Sequence, residues 1–318
     1  MNNLVAVTIG DIKGIGINLI IKEWKKENIK NFVIFSNIKI INKYLNKNIN
    51  KNIINKINNN IYEKYNKNKI NIFDIDASNI YENCFNSLNK AYYFTNKNYF
   101  IGILTLPINK IDISKFVKKN FIDQTTFFSN KERKQNTSMM FVYKKKFYIP
   151  LTTHIELKNV YKYFKQKNKI INKILNINKT LIEDFKIKNP NIIMAGINPH
   201  SGENGLISKD DTNLITPIID ELKKNRINIH GPVSGDSIIN NNNLNRYNAF
   251  IFTYHDQALI PFKILSNFSG VNYTSNLDII RVSPSHGTAR DMIKSNKKNS
   301  MGIINSIKLI KEIYKNRK

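Results

Sequence analysis

The chain has 318 residues, 41% of them hydrophobic, which suffices for a packed core in one or two domains and argues against wholesale disorder. Its single cysteine, Cys84, excludes an internal disulfide and any multi-cysteine zinc site. No apolar run reaches the length of a membrane span, so a reducing cytoplasm and no membrane partner are expected. The net charge of +27 would ordinarily suggest a nucleic-acid partner, but only six of the fifty basic residues are arginines. Lys, Asn and Ile share A/T-rich codons, which explains a diffuse lysine excess without nucleic acid.

In chain order, Leu4–Ile9 reads as a buried strand followed by Gly10, Gly14 and Gly16, and 17–30 as a helix burying Ile17, Leu19, Ile20, Ile21 and Trp24. Phe32–Phe35 reads as the next strand. From 36 to 70 the Asn-, Lys- and Ile-rich stretch reads as poorly patterned helix and strand, Asn46–Asn60 included. Four sharper strands follow: Phe100–Leu106, Lys146–Leu151, Asn191–Gly196 and Ala249–Tyr254. Helices are expected near 156–166, 179–187, 211–226 and 301–315. Alternating strands and helices imply an α/β fold with an open, at least partly parallel sheet, in which ligands bind beyond the carboxyl ends of strands.

Three of the five histidines follow such ends: His154, His200 and His255. Three neutral imidazoles on different strands are a plausible divalent-metal site with open positions for substrate. The alternative is three unrelated polar loop residues. Asp256 and Asp236 are either acceptors that orient the imidazoles, with Asp236 a further candidate for proton transfer, or ordinary turn and cap residues. The glycine segment 8–16 is neither GxGxxG nor GxxxxGK[ST], so a nicotinamide cofactor would not use the usual fingerprint. Lys263 and Arg281 are candidates to hold a carboxylate or phosphate. Arg281 stands out because the composition suppresses arginine. Asn272 is uninformative by itself, and His286 precedes a glycine turn as either a cofactor contact or a helix-entry residue.

Seven segments together carry a family resemblance: TIGDIKGIG (8–16), TLPINK (105–110), TTHIELKNV (152–160), GINPHSGENG (196–205), GPVSGDS (231–237), YHDQALIPFK (254–263) and SHGTARD (285–291). In order and spacing the chain resembles the 4-hydroxythreonine-4-phosphate dehydrogenases of vitamin B6 biosynthesis. The resemblance implies a two-domain α/β/α fold with a mixed, largely parallel sheet, like isocitrate and isopropylmalate dehydrogenases. It implies one domain of 1–125 plus 285–318, a second of 126–284 carrying the metal-ligand loops, and an active site in their cleft. It further implies oxidation of 4-phosphooxy-L-threonine with NAD, then decarboxylation to 3-amino-2-oxopropyl phosphate. A divalent metal (Zn, Mg or Co) would be held by His154, His200 and His255, one histidine coming from the partner of a homodimer. Asp236 and His255 would be catalytic. Substrate contacts map to Gln124, Thr125, Lys263, Asn272 and Arg281, and cofactor contacts to His286 and Gly287.

The chain also departs from the family pattern. Asp123-Gln124-Thr125-Thr126 stands where the family has Gly-His-Thr-Glu, so the usual histidine is Gln124 and Asp123 adds a negative charge where an anion is expected. Ser285 replaces an aspartate, and Ile9 and Ile12 replace prolines. The alternatives are a related dehydrogenase of another four-carbon hydroxy-acid 4-phosphate (threonate or erythronate type), a basic nucleic-acid-binding protein, or an inactive relative.

Overall fold

The structure, a computed structural model, describes residues 3–45, 51–117, 121–294 and 299–318. The chain divides into two compact units: residues 1–128 with 278–316 and 318, and residues 129–277 with 317.

In the first unit the elements run β1 (Val5–Thr8), α1 (Gly16–Lys25), β2 (Phe32–Ser36), α2 (Ile38–Tyr44), β3 (Ile54–Ile57), α3 (Ile61–Lys64), β4 (Ile70–Asp74), α4 (Ile80–Asn96), β5 (Ile103–Thr105), α5 (Lys110–Val117) and α6 (Gln124–Lys131), whose end passes into the second unit. The second unit continues with β6 (Met139–Tyr143), β7 (Lys146–Pro150), α7 (Val160–Phe164), α8 (Lys167–Glu183), β8 (Ile192–Ala195), α9 (Thr216–Lys224), β9 (Ile229–Val233), α10 (Asn241–Arg246), β10 (Ala249–Phe252), α11 (His255–Ser266) and β11 (Val271–Thr274). The chain then returns to the first unit for β12 (Arg281–Pro284) and α12 (Met301–Arg317).

The strands of the first unit are ordered β3-β4-β2-β1-β5-β12, all parallel. Those of the second are ordered β11-β6-β7-β10-β8-β9, and only the pairings of β6 are antiparallel. The fold is therefore α/β and largely parallel. β1, β2, β8 and β10 are buried along their whole length, because parallel strands covered on both faces need continuous apolar runs. Among the described residues, no helix is long and apolar enough to cross a membrane.

Several elements differ from the sequence reading. Helix α1 ends at Lys25 rather than 30, where Glu27 takes a positive φ of 59°. The strand expected over Phe100–Leu106 shrinks to Ile103–Thr105. The helix expected at 179–187 is instead α8, which buries Ile170, Ile171, Ile174, Ile177 and Leu181. Its helical period is diluted by the Lys and Asn that occupy the intervening positions. Helix α4 lies where the sequence pattern indicates no helix. Its inner face is Asn83, Cys84, Ser87, Leu88, Ala91 and Thr95, too polar and small to show as an apolar stripe. Asn79 starts it by accepting hydrogen bonds from the Tyr81 and Glu82 amides, both at 3.0 Å. Of the 36–70 stretch, residues 46–50 lie outside the described residues; the rest forms α2, β3 and α3 and leads into β4.

Candidate active site

The three histidines follow β7, β8 and β10, which lie side by side and parallel in the second unit, so their loops leave the same sheet edge. Long-range hydrogen bonds tie these loops together. The Thr152 hydroxyl donates to the Thr253 carbonyl (2.8 Å), and the Gln257 amide donates to the Gly196 carbonyl (3.0 Å). Gln257 Oε1 accepts from both the amide and the hydroxyl of Thr253, at 2.9 Å each. Buried Asp211 pins the loop after β8, its carboxylate accepting from the amides of Ile197 (2.7 Å) and Asn198 (3.2 Å). A Cβ at Gly196 would lie 2.4 Å from Asp211 Oδ1, so only glycine lets the carboxylate come this close.

His154 and His255 face each other with ring centroids 5.8 Å apart. His255 opens helix α11, and its Nδ1 lies 2.7 Å from Asp256 Oδ1, which leaves Nε2 as the nitrogen for a ligand. His154 and His200 adopt positive φ, 55° and 50°. The left-handed backbone continues from His200 through Asn204. Four of these residues, His200, Ser201, Glu203 and Asn204, are not glycine, and such a backbone is costly and persists where surrounding structure enforces it, as at functional sites.

His200, Asp236 and Asp256 line a cavity of about 610 Å³, whose apolar wall is Ile239, Ile260, Pro261 and Ile264. The Ser234 hydroxyl donates to Asp236 Oδ1 (2.5 Å), and this hydrogen bond holds the carboxyl below the usual aspartate range. Among the described residues, no three His, Cys, Asp or Glu side chains are grouped so as to hold a metal. The structure thus brings His154 to His255, and sets His200 beside Asp236 along the cavity. Lys263 is exposed on α11, about 12 Å along the axis from His255. Asn272, on β11, has a buried Oδ1 without a hydrogen-bond partner.

The first unit assembles a different group. Arg281, 3% exposed, donates from Nε to the Thr105 hydroxyl (2.9 Å), from Nη2 to Gln124 Oε1 (2.5 Å) and from Nη1 to the Thr125 hydroxyl (3.4 Å). Burial lowers its pKa to about 10, against the opposing charge of Asp123, so the guanidinium stays cationic near neutrality. Gln124 uses its other end as well, Nε2 donating to the Leu106 carbonyl (3.0 Å). The amide that stands in place of the family's histidine therefore orients Arg281. Asp123, whose charge acts on Arg281, also caps α6, accepting from the Thr126 amide (2.8 Å).

Arg281→Lys is expected to raise KM for a phosphorylated substrate about 10- to 100-fold with a smaller change in kcat. A lysine's point charge cannot meet three acceptors arranged for a planar fork. Steady-state kinetics at saturating cofactor checks this, and an unchanged KM would remove Arg281 from anion binding.

After β12, His286 Nδ1 lies 2.9 Å from the Gly287 carbonyl, while its Nε2 is buried without a partner. Burial depresses the His286 pKa, so the ring is neutral at pH 7. Nothing lies within 4 Å of a Cβ built on Gly287. Arg290 was not singled out from sequence, yet it bonds two carboxylates, Asp11 (2.6 Å) and Asp112 (2.8 Å). Its signal was present: arginine is scarce in this chain, and the reasoning applied to Arg281 applies equally to Arg290 and Arg317.

A profile of the family described as pyridoxal phosphate biosynthetic protein PdxA matches residues 28–310. The 4-hydroxythreonine-4-phosphate dehydrogenase of Aquifex aeolicus is 38% identical over 212 residues, which are 67% of this chain but 65% of that protein's own length. The corresponding protein of a Sulfurihydrogenibium species is 30% identical over 324 residues, 96% of each chain. A crystal structure of 4-hydroxythreonine-4-phosphate dehydrogenase from Klebsiella pneumoniae shares the fold, with a TM-score of 0.81, 24% identity, and coverage of 99% of this chain and 98% of that one. With its profile match spanning most of the sequence and a relative aligned over nearly its full length, the chain belongs to the PdxA family of pyridoxal phosphate biosynthetic proteins.

Proposed function

We propose that the chain oxidises 4-phosphooxy-L-threonine at C3 with NAD, and that the resulting keto acid loses its carboxyl carbon as carbon dioxide to give 3-amino-2-oxopropyl phosphate. The observation that carries this reading is the facing pair His154–His255, with His255 oriented by Asp256. Relatives over nearly the whole chain bear the dehydrogenase name, which supports the reaction class.

The donor set fits a divalent ion. Two imidazoles face one another, one with its second nitrogen engaged by a carboxylate, the arrangement that raises a ligand's basicity. When bound, the ion (Zn, Mg or Co) supplies Lewis acidity toward the C3 hydroxyl and toward the negative charge left by decarboxylation. The third imidazole, His200, would come from a second copy of the chain. A homodimer accords with the exposed apolar side chains of α11 near His200, Ile260 and Ile264, which are 62% and 75% exposed. The orphaned Nε2 of His286 and the open face of Gly287 fit a polar group of NAD, which supplies the hydride acceptor.

The chain's own residues do the rest. Arg281, with Thr125 beside it, holds an anionic end of the substrate, and Lys263 and the unpartnered Asn272 Oδ1 supply further polar contacts. Fixing the remote anionic groups orients the C3 hydrogen for transfer. Asp236, which lies beside His200, would enter the site with it from the second copy, where its carboxylate is the acceptor for the hydroxyl proton.

The purified chain, supplied with Zn²⁺ and NAD, is expected to form NADH with 4-phosphooxy-L-threonine and at least about tenfold more slowly with D-threonate 4-phosphate. A preference for the threonate ester would move the substrate assignment to that class. No NADH with either would contradict the proposed activity.

A further inference from the structure

Arg290 lies just past the His286–Gly287 turn, and its guanidinium is divided between two carboxylates. Nε donates to Asp11 Oδ2 (2.6 Å) and Nη2 to Asp112 Oδ2 (2.8 Å). Asp11 belongs to the turn after β1, and its side chain is only 5% exposed; Asp112 lies in the first turn of α5. The other Asp11 oxygen accepts from the Lys13 amide (3.0 Å), so that carboxylate is fixed before Arg290 reaches it. These bonds push the Arg290 pKa up from the usual arginine value.

The same segment meets the glycine turn at a second point. The Ile15 amide donates to the Thr288 carbonyl (3.0 Å), and a Cβ at Gly14 would lie 2.6 Å from that oxygen. Residues 286–290 are thus fastened to the 10–16 turn at Thr288, and to both that turn and α5 through Arg290. A lysine's ammonium on its flexible stem has no rigid spacing of donors to hold the two carboxylates in one geometry, whereas the planar fork does.

We propose that Arg290 is a positioning residue: shared between Asp11 and Asp112, it straps the segment bearing His286 and Gly287 onto the 10–16 turn and so fixes the pose in which that segment meets a dinucleotide. This rests on the cofactor role given above to His286 and Gly287. It adds a residue on which their geometry depends and which itself touches no ligand.

The test compares Arg290→Lys, Arg290→Gln and Asp112→Asn with the wild type in three measurements: NADH titration by nucleotide fluorescence, steady-state kinetics, and hydrogen exchange at the Ile15 and Met292 amides, bonded to the Thr288 and Ala289 carbonyls. In Arg290→Gln the Kd for NADH is expected to rise about tenfold or more, with kcat at saturating NAD changed less than about threefold and exchange at Ile15 faster by about tenfold. Arg290→Lys, which keeps the charge without the fork, and Asp112→Asn, which keeps the Asp11 pair, should each lose only part of this. A wild-type Kd in Arg290→Gln, from a wild type that does bind NADH, overturns the proposal. So does a raised Kd with unchanged protection at Ile15. A wild type that binds no NADH overturns the cofactor role of His286 and Gly287 instead; the exchange measurement then decides the strap, and unchanged protection rejects it.

Discussion

His255→Ala is expected to lower kcat/KM by about three orders of magnitude or more, roughly 4 kcal/mol of transition-state stabilisation, while the protein stays folded. Both halves of the expectation follow from the side chain's position. The ring faces His154 with a 5.8 Å centroid separation and is oriented by Asp256, so removing it takes away half of the imidazole pair. The side chain is also 37% exposed at the first position of α11, so its loss opens no buried cavity and should cost about 1 kcal/mol or less in stability. Asp256→Asn, which keeps the ring but weakens its orientation, should cost about 10- to 100-fold. Steady-state kinetics with thermal unfolding of the same samples checks the pair of effects. Wild-type turnover in His255→Ala would remove the imidazole pair from the chemistry.

Asp184→Ala should destabilise the second unit by about 1–3 kcal/mol, the cost of taking the acceptor from the buried Tyr273 hydroxyl and the ion-pair partner from Arg317. Asp184, 4% exposed, receives Arg317 Nε on one oxygen (2.7 Å). Its other oxygen receives Arg317 Nη2 (3.2 Å) and the Tyr273 hydroxyl (2.5 Å). Arg317 Nη2 also donates to the Tyr273 oxygen (3.0 Å) and the Leu277 carbonyl (3.1 Å). Burial and the neighbouring carboxylate raise the Tyr273 pKa well above the usual value, so the phenol remains a neutral donor. Removing the carboxylate takes the acceptor from the phenol and leaves Arg317 its bonds to the Tyr273 oxygen and the Leu277 carbonyl, and the melting temperature should fall by about 5 °C. Asp184→Asn, which keeps hydrogen-bonding capacity, should fall less. A shift of under about 2 °C in the alanine variant would show that water replaces the carboxylate without cost.

The sheet was legible where strands are buried on both faces, because an interior parallel strand such as Ala249–Phe252 is an unbroken apolar run. The histidines were legible for the same reason: each follows the end of such a run. Helices with lysine and asparagine between their buried residues, such as α8, and helices with a polar inner face, such as α4, were hidden because their period depends on a contrast the composition erodes. The hydrogen bonds linking Thr152, Gly196, Thr253 and Gln257 join residues up to about one hundred positions apart, and no local pattern encodes them. The placing of Gln124 against Arg281 is of the same kind. Sequence showed a lost histidine, and only the fold shows that the replacement amide is spent on orienting a buried guanidinium. Arginine scarcity was the usable signal, and it pointed to Arg290 and Arg317 as well as to Arg281.

The claim on which the account depends is that His154 and His255 hold one catalytic ion. Metal content and NADH formation measured on the same purified sample, for the wild type, His154→Ala and His255→Ala, test it most directly. The account predicts about one divalent ion per chain and ion-dependent NADH formation in the wild type, both lost in each variant. Full NADH formation by metal-free wild type, or undiminished metal in the two variants, would contradict it.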